Sequence, residues 1–80
     1  MMAAFVFVQA EGTRNWEEMG ALHMALHAVS GVKTVHFVAG PTDIILFVEA
    51  ADMAALGQIV GKLRGVKGVA STDTRLVLPI

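Results

Sequence analysis

The sequence predicts an α+β domain of the ferredoxin-like type: βαββαβ, a four-stranded antiparallel sheet with two helices on one face. Three observations predict it. Four runs rich in β-branched, aromatic and aliphatic residues alternate with two segments of helical periodicity. The second and third runs are joined by a turn so short that they must form a hairpin. The two halves of the chain also echo each other. Leu26-His27-Ala28-Val29-Ser30-Gly31-Val32-Lys33-Thr34 aligns with Leu63-Arg64-Gly65-Val66-Lys67-Gly68-Val69-Ala70-Ser71, each at a helix end and a strand start. Two split βαβ units with right-handed crossovers place both helices on one side of such a sheet. The 80 residues make a single domain, 1–80.

The first strand is expected over Ala3–Gln9, and Glu11–Arg14 is a loop. Asn15 can cap a helix, and Glu18 three residues on completes a capping-box pattern. Met19, Leu22, Leu26 and Val29 recur at helical spacing, and Ser30-Gly31 ends that helix. Trp16 is expected to pack near its start, with a ligand-stacking role as the alternative. Val32–Ala39 reads as the second strand. Gly40-Pro41-Thr42-Asp43 is a turn, with Pro41 at its first central position. Ile44–Glu49 is the third strand. Asp52 can cap the second helix, which carries Leu56, Ile59, Val60 and Leu63; Gly57 and Gly61 in its interior suggest close packing. Gly65 and Gly68 break it, and Val69–Leu78 is the last strand, stopped by Pro79.

The composition is 55% hydrophobic and only 16% charged. Soluble domains average roughly 45–50% and 25%. No apolar run approaches the roughly 18 residues of a membrane span, so the surplus points to surface buried against another subunit. The strand pattern says where. Phe5 and Phe7 lie opposite Val6 and Val8 on the first strand, and Ile45 and Phe47 lie opposite Ile44, Leu46 and Val48 on the third. Both faces of the sheet are apolar, yet the helices cover only one. A second copy on the other face would make a dimeric α+β barrel. The absence of cysteine excludes thiolate chemistry and disulfides. A net charge of −1 without a basic cluster argues against direct nucleic-acid binding. The start of the chain lacks the pattern of a secretion signal, so a cytoplasmic location is expected.

Gly31-Val32, Gly40-x-Thr42-Asp43-Ile44-Ile45-Leu46, Val48, Ala50-x-Asp52 and Gly68-Val69-x-x-Thr72-x-Thr74-x-x-Val77-Leu78 together resemble the effector-binding (RAM) domain of the Lrp/AsnC transcriptional regulators. The resemblance spans nearly the whole chain and looks like a stand-alone form, without the helix-turn-helix. It implies a small-molecule effector, an amino acid in kind, and a homodimer that assembles into a larger ring. It also makes a full-length DNA-binding homologue a candidate partner. The resemblance places the effector between subunits, with Gly40, Thr42, Asp43, Thr72 and Thr74 lining the pocket. In chemical terms Asp43 would meet the ammonium, while the hydroxyls and the Gly40 backbone meet the carboxylate. The plain reading of the same residues is a capped turn and β-branched strand positions. The family often has an aromatic residue where this chain has Thr42, a departure that bears on the family's usual side-chain preference.

Neither a catalytic site nor a cofactor is expected. His23 and His27, four apart, share a helix face at a spacing that can hold a metal. No third ligand stands at a standard spacing, so solvated histidines are the expectation. His36 is the one candidate general base, without an evident partner; a hydrogen-bonded edge-strand histidine is expected instead. Lys62, Arg64 and Lys67 complement the dipole of the second helix. The alternatives to a binding module are a dimeric α+β-barrel oxygenase or isomerase and an ACT-like regulatory domain. The absence of a nucleophile–base pair favours binding.

Overall fold

The computed structural model describes residues 1–12 and 15–80 and contains six elements in order: β1 (Met2–Ala10), α1 (Trp16–His27), β2 (Val32–Phe37), β3 (Ile44–Ala50), α2 (Met53–Arg64) and β4 (Val69–Leu76). Thr13 and Arg14, the end of the expected first loop, lie outside the described residues. Both helices start where their caps predict. The Asn15 side chain accepts from Glu18 N–H at 2.8 Å and donates back to the Glu18 carboxylate, and the Asp52 carboxylate accepts from Ala55 N–H at 2.8 Å.

The four strands are antiparallel in the order β2-β3-β1-β4, so the first and third strands are central as expected. Ala4, Val6 and Val8 pair with Val48, Leu46 and Ile44, and all six are fully buried beneath the helices. Leu22 and Leu26 of α1 and Leu56, Ile59 and Leu63 of α2 close this core. The odd-numbered residues of β1 and β3 face the other way. There Phe5 and Phe47 pack ring to ring at 5.2 Å, and the Arg75 guanidinium lies 4.7 Å over the Phe7 ring. Phe5 remains 44% exposed. No helix is long and apolar enough to cross a membrane among the described residues.

The internal echo is a repeated hydrogen-bond pattern. Val29 N–H donates to Leu26 O and Val32 N–H to Val29 O; Val66 and Val69 repeat both bonds with Leu63 O and Val66 O. Gly31 and Gly68, one residue before the strands, have φ of 99° and 101°. L side chains rarely adopt that conformation, which is why both halves carry glycine there.

Four expectations need correction. Trp16 is not packed: it is 85% exposed, because as the first residue inside the cap it stands before the turn that reaches the sheet. β2 stops at Phe37, since Val38 N–H already closes the hairpin onto Asp43 O at 2.9 Å. β4 stops at Leu76, which faces Ala4 near the start of β1; one further bond, Val77 N–H to Ala3 O, completes the pairing. Gly57 and Gly61 are not sites of close packing, because a Cβ at either would meet nothing within 4 Å. Both are therefore plain losses of helix propensity. Gly57→Ala and Gly61→Ala are each expected to stabilise the fold by about 1 kcal/mol in urea denaturation at fixed protein concentration. A loss at either position would show that the outer face of α2 meets another molecule.

Candidate functional site

The β2–β3 turn is fastened to the end of β1. Asp43 N–H donates to Val8 O at 3.2 Å, and the Asp43 carboxylate accepts from Ala10 N–H at 2.8 Å. The Gln9 side-chain amide donates to Pro41 O. Gly40, at φ 126°, allows the reversal. The Asp43 side chain thus ties the turn to β1, where the plain reading had it capping its own turn. A carboxylate has about four acceptor positions, however, and Ala10 N–H takes one.

Asp43 stands at the edge of an open pocket of about 530 Å³, lined by Ala10, Trp16, Met19, Phe37, Val38 and Ala39. Met19 comes from the first turns of α1, Phe37 from the end of β2, and the exposed Trp16 ring stands at the rim. The arrangement is an apolar wall with one carboxylate, suited to a cationic group on an apolar body. Met19 and Phe37 were not among the expected site residues, and for Trp16 ligand stacking was only the alternative to packing.

The five expected site residues fall into two groups. Gly40, Thr42 and Asp43 share the turn. Thr72 and Thr74 lie on β4, opposite Val8 and Val6, and so are half-buried on the helix side of the sheet. With β1 between the groups, they stand about 10 Å apart across the sheet. Only Asp43 of the five lines the pocket.

Elsewhere, a groove of about 390 Å³ runs between α1 and the turn before β4; its charged residues, Glu11, Glu18 and Lys67, are all exposed. His36 is an exposed edge-strand residue on the open face, opposite Ile45. No group of three or more metal-ligating side chains occurs among the described residues.

The fold is an open-faced ferredoxin-like sheet with an open pocket beside its hairpin. The chain belongs to the Lrp/AsnC ligand-binding domain family, whose model matches residues 3–79. A homocitrate synthase of Sulfurisphaera tokodaii is 47% identical over 58 residues, covering 72% of this chain and 13% of that protein. The chain thus spans about an eighth of the curated relatives it matches. The crystal structure of TTHA0845 from Thermus thermophilus superimposes with a TM-score of 0.84 at 28% identity, covering 100% of this chain and 96% of that one. A feast or famine regulatory protein of M. tuberculosis complexed with L-methionine shares the fold, with a TM-score of 0.81 at 21% identity over 100% of this chain and 52% of the regulator.

Proposed function

We propose that this domain is a cytoplasmic, non-enzymatic effector module that binds a free amino acid at the β2–β3 turn and dimerises through its open sheet face. The observation that carries the reading is the Asp43 carboxylate beside the apolar wall of Trp16, Met19 and Phe37. The ammonium meets Asp43, the amino acid's side chain lies on that wall, and its carboxylate meets the Gly40 backbone and the Thr42 hydroxyl. Thr72 and Thr74, which lie across the sheet from the turn, belong to this site through the assembly: a neighbouring copy brings its hydroxyls to the hairpin. The L-methionine held by the M. tuberculosis regulator is an amino acid with an apolar side chain, in keeping with such a pocket. Dimers built on the open face would join into a ring, with the effector between subunits.

The 47% identity to part of a homocitrate synthase favours a second reading of the output. In that reading the same sensing module acts on an enzyme instead of on a DNA-binding homologue.

The chain's single tryptophan reports on the pocket directly. A bound amino acid is expected to shift Trp16 emission to the blue, with methionine or leucine binding more tightly than asparagine in calorimetry. Asp43→Asn keeps an acceptor for Ala10 N–H but removes the charge. It is expected to leave the fold intact and weaken binding on the order of ten- to a hundredfold, since charge-assisted hydrogen bonds contribute about 1.5–3 kcal/mol. Thr74→Val removes only a hydroxyl and tests the β4 contribution. Should no amino acid bind at millimolar concentration, the sensor reading fails. Binding that neither substitution weakens would put the site elsewhere.

A further inference from the structure

We propose that the last two turns of α1 hold a late first-row dication of the zinc, nickel or copper type between His23 and His27. Four residues apart on a helix, the two side chains stack one turn above the other. Their ring centroids are 4.8 Å apart. A metal about 2.0–2.1 Å from a nitrogen lies about 3.2 Å from the ring centroid, so two imidazoles at 90–110° around one ion have centroids about 4.5–5.2 Å apart. The observed spacing falls inside that range.

Two further features favour the site. The His23 ring packs on Phe37 of β2, with centroids 5.9 Å apart and planes 32° from parallel, which restricts one ligand before metal arrives. His27 is the final residue of α1, where the aligned backbone carbonyls give the helix its negative end. A dication there meets favourable potential from the backbone as well as two nitrogens. His27 is exposed and His23 half-buried, so water has access to the remaining coordination positions. Imidazole donors select copper, nickel and zinc over magnesium or calcium, which prefer oxygen. The site adjoins the proposed effector pocket, since His23 packs on Phe37, but its own argument does not depend on the effector reading.

The test uses the full chain and the metals alone. Trp16 precedes His23 by seven residues, about 10 Å along the helix axis, within quenching reach of a bound Cu²⁺. Titration with Cu²⁺ is expected to quench Trp16 emission saturably at one ion per chain. Saturating Zn²⁺ or Ni²⁺ is expected to raise the thermal midpoint by about 4 °C or more, and Mg²⁺ to leave it unchanged. His23→Ala and His27→Ala should each weaken metal binding tenfold or more, while His36→Ala retains it. His27 is exposed, so its removal leaves the core untouched and the test interpretable even if His23→Ala disturbs packing. Undiminished binding in His27→Ala, loss in His36→Ala, or saturation at half an ion per chain would each overturn the proposal; the last would mean an ion bridging two copies.

Discussion

Under the proposed pairing of two copies through the open sheet face, Phe47→Asp is expected to leave a folded monomer. Phe47 lies on central strand β3 and packs on Phe5 of central strand β1, both on the face the helices leave open. Around this aromatic centre stand charged and polar groups: Asp73 and Arg75 in a 3.0 Å ion pair on β4, and Lys33 with Glu49 at 3.9 Å towards β2. An aromatic centre inside a polar rim is the anatomy of a subunit interface. Truncating a central aromatic anchor typically costs about 2–4 kcal/mol, and an unpaired carboxylate buried in its place adds desolvation. Dissociation should therefore rise on the order of a thousandfold or more. The helix-side core contains no atom of Phe47, so far-UV dichroism should hold. Sedimentation velocity across micromolar concentrations decides the matter. A parent chain that is itself monomeric there would remove the argument for the sheet interface, as would an aspartate variant that sediments like the parent.

Gly31→Ala is expected to destabilise the fold by about 2–4 kcal/mol, and Gly68→Ala by clearly less. The two glycines share a motif and nearly the same φ. An L side chain in such a conformation costs about 1–3 kcal/mol. Their surroundings differ. A Cβ on Gly31 would stand 2.5 Å from Ile59 Cδ1 and 3.0 Å from the Glu49 carbonyl oxygen. The Ile59 methyl can turn aside, but Glu49 O accepts no such adjustment, being part of the β3 backbone. On Gly68 the nearest atom would be Leu22 Cδ1 at 3.5 Å, an ordinary contact. Crowding is thus added to backbone strain in the first half only. Urea denaturation of the two variants at one protein concentration measures the difference. Equal losses would mean that φ alone sets the cost and that Ile59 and β3 yield freely.

Much of this architecture was legible because each local signal agreed with its neighbours. Asn15 and Asp52 announced helix starts, Gly31 and Gly68 the reversals, and the alternation in β1 and β3 the two apolar faces. The misjudged positions were those where a residue type admits two environments. Trp16 has the composition of a core residue, but its place inside the cap leaves it in water. Gly57 and Gly61 match a packing pattern, but only the orientation of α2 shows open space beside them. The site was legible in part. The turn holding Gly40, Thr42 and Asp43 is local, and its chemistry follows from residue type. That Asp43 shares a pocket with Met19 and Phe37 depends on α1 lying beside β2, which no short motif encodes. Thr72 and Thr74 were correctly placed on one strand face; which face is decided by register against β1.

That register also orders events in time. β1 sits between β3 and β4, and its pairing with β4 joins residues as far apart as Ala4 and Leu76. The β2–β3 hairpin and its neighbouring helices can form from local contacts, whereas this ladder must close the longest loop in the domain. During synthesis β1 can find β3 early, but its other edge waits for the last strand to emerge. Until then Phe5 and Phe7 lie on a strand with one hydrogen-bonding edge vacant, the arrangement most prone to pairing with the wrong chain. Refolding yield should accordingly depend on protein concentration more steeply than the stability of the finished fold does.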